Sequence, residues 1–247
     1  MFGERIFHGF HHERFRHRGA ESARIETLSD AVFAFSVSLL VASLEVPQTY
    51  DELFVIVKGV LPFFATVAIL FLLWYQQYVF FRHYGMTDIM TVVLNLVYLA
   101  VILFYLYPLK FLFSLLLDSW TGIDLFPKAA GRTIITAGQF SQLIILYGTG
   151  YGVIWILLYA MHQRALHFSF SLQLNRYELL YTKKERRGAL MNAIVGLLSA
   201  LIAWIGVAWV SSLCYFAIPF VLILNEKLFK KQIRAEGLLS GKQKFLV

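Results

Sequence analysis

An all-α, polytopic membrane protein with six transmembrane helices per subunit is the fold that the sequence predicts, and three observations predict it. Hydrophobic residues make up 59% of the 247 and charged ones only 15%, well below the roughly one quarter charged that is usual for soluble domains. The apolar residues gather into six runs of the about 20 residues needed to cross the hydrocarbon layer. Lys and Arg collect between alternate runs, so that 18 of the 22 fall on one side, the side that stays cytoplasmic.

The first span is read as 28–46, ended by Pro47 and the polar residues after it. The second, 53–81, is overlong and carries Pro62, where a kink is expected. A short polar turn leads to the third, 89–117, which contains Pro108 and Lys110. A loop with Gly122, Pro127 and Gly131 precedes the fourth, 140–161. The polar stretch 162–187 then separates it from a run without any charge, 188–225, which accommodates two spans, 189–207 and 211–225, joined near Ser211 and Ser212. Segments 1–27 and 226–247 are read as basic cytoplasmic tails facing an anionic inner leaflet, which accounts for the net charge of +7 without a nucleic-acid partner. Residues 1–18 lack the apolar core of a cleaved signal. A single cysteine, Cys214, excludes a disulfide framework and a Cys-based zinc site. His11 and His12 belong to the basic tail, and no resident metal or cofactor is predicted.

Polar residues inside a span point to function, and the densest group is Arg24, Ser29 and Asp30 at the start of the first helix. One reading is helix capping, with Ser29 or Thr27 satisfying free N–H groups and Asp30 favouring the positive helix end. Against it, Arg24 and Asp30 lie six positions apart, about 240° around a helix, and cannot pair along one face. Each then needs partners on other helices, for which Trp74, Gln77 and Asn95 are the candidates.

These residues carry a resemblance. Arg24-Ile25-Glu26-Thr27-Leu28-Ser29-Asp30, followed by Ala31-Val32-Phe33-Ala34, resembles the Arg-x-x-x-Phe-Ser-Asp signature of the transmembrane protein 175 family of lysosomal and bacterial potassium channels. Trp74, Phe80-Phe81-Arg82, Leu94-Asn95-Leu96 and Tyr107-Pro108-Leu109-Lys110 resemble its second and third helices. Leu28 replaces the usual Phe, and Gln77 stands where the family often has His. The resemblance implies a bacterial-type subunit with one six-helix repeat in the inner (plasma) membrane. Four copies would form a homotetramer around a potassium-conducting pore lined by the first helix. Arg24, Ser29, Asp30, Trp74, Gln77 and Asn95 would then brace helices rather than touch ions. The pore face would be the stripe Leu28, Ala31, Phe35, Ser38, Leu39 and Ala42, at helical spacing. Phe35 would form the tightest ring, closing by dewetting, Ser38 the hydroxyl layer, and Glu45 the outer mouth. Without the resemblance the same stripe reads as helix packing.

Thr149-Gly150-Tyr151-Gly152 resembles a potassium-filter sequence but sits inside a full apolar span, where irregular backbone is excluded unless buried or wetted. Gly148 and Gly152 instead make a small-xxx-small packing face. Two readings of Lys110 stand: a side chain that snorkels outward if the helix ends soon after Pro108, or a charge near the pore. An ion-coupled transporter is the alternative function. It calls for paired broken helices and ionisable groups at the midplane, and neither pattern is present in the sequence. A membrane enzyme would need a cluster of nucleophile, acid and base, so no enzymatic activity is expected.

Overall fold

The computed structural model describes residues 15–19, 23–42, 47–121 and 135–238. Its helices are α1 (Arg24–Ala42), α2 (Tyr50–Lys58), α3 (Val60–Tyr84), α4 (Ile89–Thr121), α5 (Ala137–His167), α6 (Arg176–Trp204), α7 (Ala208–Leu213) and, after a 3-10 turn at Cys214–Phe216, α8 (Ala217–Ala235). Six stretches among the described residues are long and apolar enough to cross a membrane, and no strand occurs among them. The chain is an all-α membrane protein.

Several boundaries differ from those read in the sequence. The first helix starts at Arg24 rather than 28, and residues 43–46, Glu45 among them, lie outside the described residues. The second span breaks at Gly59 into α2 and α3 instead of kinking at Pro62. Pro62 stands in the first turn of α3, where a missing N–H removes no helical hydrogen bond. The turn in the long charge-free run falls at Gly206, whose φ of +97° suits glycine, not at Ser211 and Ser212, which lie within α7. The remaining differences share one cause. α5 continues to His167, α6 begins at Arg176 and α8 extends to Ala235, so the polar segments 162–187 and 226–235 are largely helix. Lys, Arg and Glu are good helix formers, and a charge run marks where a helix leaves the hydrocarbon rather than where it stops.

α5 and α6 form the central hairpin. Their backbones touch because glycines face each other. A Cβ on Gly148 would stand 2.7 Å from the carbonyl oxygen of Gly196, and one on Gly196 would stand 2.8 Å from that of Gly148 and 3.0 Å from the Gly152 nitrogen. Gly150 points the other way, where a Cβ would meet the Tyr105 ring of α4 at 2.5 Å. The filter-like tetrapeptide is thus part of an unbroken helix, and its glycines are points of close approach to two neighbours. The Tyr105 hydroxyl donates to the Tyr147 carbonyl at 2.9 Å, fixing α4 against α5.

Lys110 lies within α4, which runs on to Thr121. It is 21 residues beyond Ile89, roughly 32 Å at 1.5 Å per residue, about one hydrocarbon thickness. That length matches the interfacial reading of Lys110 rather than one at the middle of the span.

On the charged side the connector between α5 and α6 ends in Asn175, whose side chain accepts from the Glu178 N–H at 2.8 Å while the Glu178 carboxylate accepts from the Asn175 N–H at 2.9 Å. This reciprocal cap starts α6. The fully buried Glu178 also accepts from Arg16 Nε at 3.3 Å and Arg18 Nη2 at 2.7 Å. The buried Phe15 stacks on His83 at 4.1 Å between centroids, and Tyr84 donates to Thr182 at 2.8 Å. Residues 15–18, read in the sequence as part of the basic tail, are thus tied to the bundle through Phe15, Arg16 and Arg18, with Arg16 and His17 remaining exposed.

Gly196→Val should lower the thermal midpoint of the detergent-solubilised protein sharply, because overpacking typically costs about 1–3 kcal/mol or more and here the obstacle is backbone. Gly138→Ala, where a Cβ meets nothing within 4 Å, should leave the midpoint unchanged or raise it by the helix-propensity gain.

Candidate functional site

α1 is held from one side only. Ser29, Phe33, Ser36 and Leu40 are buried, at spacings of four, three and four that define one helical face, and the helix packs there against α3 and α4. Serines fit this apolar contact because each hydroxyl returns to its own helix: Ser29 donates to the Ile25 carbonyl and Ser36 to that of Val32, both at 2.7 Å. Such back-bonding satisfies the hydroxyl without a second helix.

From Ser29 a buried polar chain crosses three helices. Asn95 of α4 donates through Nδ2 to Ser29 Oγ at 3.0 Å, and its Oδ1 accepts from Gln77 Nε2 of α3 at 3.0 Å. All three side chains are essentially inaccessible. A primary amide can donate and accept at once, so Asn95 can bridge two helices. One turn above Gln77 on α3, Trp74 Nε1 donates to Asp30 Oδ1 at 2.7 Å, a second tie between α3 and α1.

Five of the six residues assigned to the interhelical network are thereby brought together in two groups, Ser29–Asn95–Gln77 and Asp30–Trp74. Arg24 joins neither. It is exposed, about 20° around the helix from Phe35, because eleven residues return to nearly the same azimuth. Asp30 is also exposed. The outward face carries Leu28 (46% exposed), Ala31, Phe35 (58% exposed), Ser38 and Ala42, while Leu39 is half-buried at its edge. Ser38 donates to the Ala34 carbonyl at 3.1 Å, which leaves its oxygen free to accept or to ligate a cation.

Sequence reasoning missed the Tyr98 hydroxyl, which is buried and donates to the Leu73 carbonyl at 2.8 Å, a further α3–α4 brace; a tyrosine in an apolar run gives no signal of its partner. It also missed Glu178, for which a signal existed: Asn175-x-x-Glu178 is a capping-box pattern. Among the described residues no group of three His, Cys, Asp or Glu side chains could hold a metal ion.

Asn95→Leu should destabilise the protein, by about 1–3 kcal/mol for the stranded Gln77 amide. Combining it with Gln77→Leu should recover part of that loss, because an apolar pair strands no donor. Denaturation midpoints of the wild type, both single variants and the double variant check this; equal additivity would remove the coupling.

The family model described as endosomal/lysosomal potassium channel TMEM175 matches residues 24–105, from the start of α1 into α4. A protein of Marivirga tractuosa named potassium channel is 35% identical over 233 residues, covering 89% of this chain and 93% of that one. The crystal structure of a variant of the potassium channel MtTMEM175, in complex with a nanobody–MBP fusion protein, superposes with a TM-score of 0.80 at 34% identity, over 88% of this chain and 97% of that one. A structure from Chamaesiphon minutus, described as a homolog of the lysosomal potassium-selective channel TMEM175, shares the fold with a TM-score of 0.50 at 20% identity, over 82% and 96% of the two chains. Together with the signature residues that tie α1 to α3 and α4, this likeness over nearly the whole length makes the chain a member of the TMEM175 family.

Proposed function

We propose that the protein is a potassium-preferring cation channel of the inner membrane, in which four copies place α1 around a central pore and both termini face the cytoplasm. Potassium is the permeant ion and no cofactor takes part. The observation that carries this reading is the division of α1 into two faces. One is locked to α3 and α4 by buried polar groups, and the other exposes Leu28, Ala31, Phe35, Ser38 and Ala42 with no described residue of the same chain covering them. A single α1 cannot enclose a path for ions, but several copies facing an axis can. Membership of a family whose relatives are named potassium channels supports the same reading.

Phe35 is the constriction in this arrangement. Phenyl rings converging on an axis exclude water, and a narrow apolar ring blocks ions by dewetting. Ser38, one turn further out, supplies the hydroxyl layer that replaces part of an ion's hydration. Arg24 and Asp30 fit an assembly role. They are exposed on sides of one helix about 240° apart, so between α1 helices a guanidinium meets a carboxylate only across a subunit boundary. Glu45, proposed for the outer mouth, lies outside the described residues.

Three outcomes are expected. Reconstituted protein should pass potassium in liposomes and show unitary steps in single-channel recording, which a transporter does not give. Phe35→Ala should raise open conductance or leak, whereas Phe33→Ala, on the buried face about 200° away, should cost stability without raising unitary conductance; equal currents from Phe35→Ala and wild type would remove α1 as the pore helix. Asp30→Ala should lower the tetramer fraction in native mass spectrometry, and an intact tetramer with altered ion preference would instead make Asp30 a pore residue.

A further inference from the structure

On the charged side of the bundle several cations pair with carboxylates. Arg16 and Arg18 meet Glu178, Arg164 meets Asp88, Arg176 meets Glu236, Lys184 meets Glu185 and Glu226, and Lys230 meets Glu226. Lys183, Arg186 and Arg187, neighbours on α6, form an ion pair with no described carboxylate. Arg186 donates to the neutral amide of Gln163 at 2.6 Å and Arg187 to that of Asn225 at 2.7 Å. Lys183 feels Glu236 only at longer range, and that carboxylate already accepts two bonds from Arg176.

These three cations line one cleft of about 300 Å³ between α5, α6 and α8, together with Tyr159, Leu190 and Gln232. None of the described residues lining it is acidic. The amides of Gln163 and Asn225 hold two guanidinium groups in place without neutralising them, so the cleft is a pre-organised site of positive charge. Its height matters as much as its charge. Arg187 is the last charged residue before the charge-free remainder of α6, which puts the cluster at the hydrocarbon boundary. Lys183, Arg186, Leu190 and Ile194 follow one another at helical spacing, and the upper two are apolar and more than 40% exposed. One stripe thus passes from cations to hydrocarbon-facing side chains.

We propose that this cleft is a binding site for an anionic phospholipid of the inner leaflet, its phosphate between Lys183, Arg186 and Arg187 and an acyl chain along Leu190 and Ile194. The inference rests on the inward orientation given above and not on ion conduction. Charge complementarity and the apolar continuation select a lipid over a soluble anion. The exposed cations of α8, Lys227, Lys230, Lys231 and Arg234, lie on a single helix with no opposing element among the described residues, and Lys230 is already paired with Glu226.

Native mass spectrometry of the full chain, purified with mixed phosphatidylglycerol and phosphatidylcholine, tests the site. Wild type should retain phosphatidylglycerol preferentially. The triple variant Lys183→Gln, Arg186→Gln, Arg187→Gln should retain at least about tenfold less, since each basic group near a leaflet contributes a severalfold factor. The control triple Lys227→Gln, Lys231→Gln, Arg234→Gln removes the same charge and should stay within about twofold of wild type. Lys183→Gln alone, at an exposed position, should give a smaller loss and carries the test if the triple variant does not fold. Millimolar inorganic phosphate should leave the lipid bound. Equal loss in both triple variants, unchanged retention in the cleft variants, or displacement of the lipid by inorganic phosphate would overturn the proposal.

Discussion

The orientation of α1 depends on the Asn95 side chain, because this one amide joins α4 to Ser29 of α1 and to Gln77 of α3 inside a bundle where few other polar contacts reach the first helix. Hydrocarbon offers no replacement partner for a polar group. Rotating α1 by even one residue, about 100°, would leave the amide of Asn95 without its hydroxyl acceptor and bring apolar side chains against it. The buried face therefore fixes the exposed one. If ions follow α1, the residues that decide which side chains meet them are ones the ions never touch.

A second constraint acts on the other half of the chain. α5 crosses α6 at glycines on both helices, near enough for backbone atoms to touch, and the pair rises from a connector capped reciprocally by Asn175 and Glu178. The hairpin is thus fixed in the membrane by the absence of side chains and at the water boundary by a saturated polar cap. α4 and α8 pack on it from either side, and α3 and α1 follow in turn. Rigidity lies toward α5 and α6, and the proposed conducting surface lies at the far edge.

Most of the membrane part was legible in the sequence, because a 30 Å slab of hydrocarbon imposes a length and a composition that no other solvent demands. Six crossings and the close packing of Gly148 and Gly152 could be read from spacing and polarity, and Ser29, Gln77 and Asn95, picked out as polar residues within spans, lie buried together. The helix ends could not. Arg164 and Lys183 look like loop residues when charge is taken as a boundary, yet both lie within helices that run past the apolar stretch. Arg24 is exposed on the single chain, at an azimuth close to that of Phe35, and a motif does not say which face each of its residues occupies. Glu178 carries a local signal in its capping box with Asn175, but its ties to Arg16 and Arg18, 162 and 160 residues away, leave no local pattern.

That separation has a consequence for biosynthesis. Chain growth at about 5–20 residues per second leaves roughly ten to thirty seconds between the emergence of Arg16 and Arg18 and that of their acceptor. During this interval the two guanidinium groups are unneutralised and stand just ahead of the first span, where positive charge holds a segment on the cytoplasmic side. Once the sixth helix of the order, α6, has formed its cap, the same groups are folded against Glu178 and cease to act as free charge. With the proposed inward orientation, the arginines would serve twice in succession, as positive charge ahead of the first span of the nascent chain and as a clasp on Glu178 in the finished one.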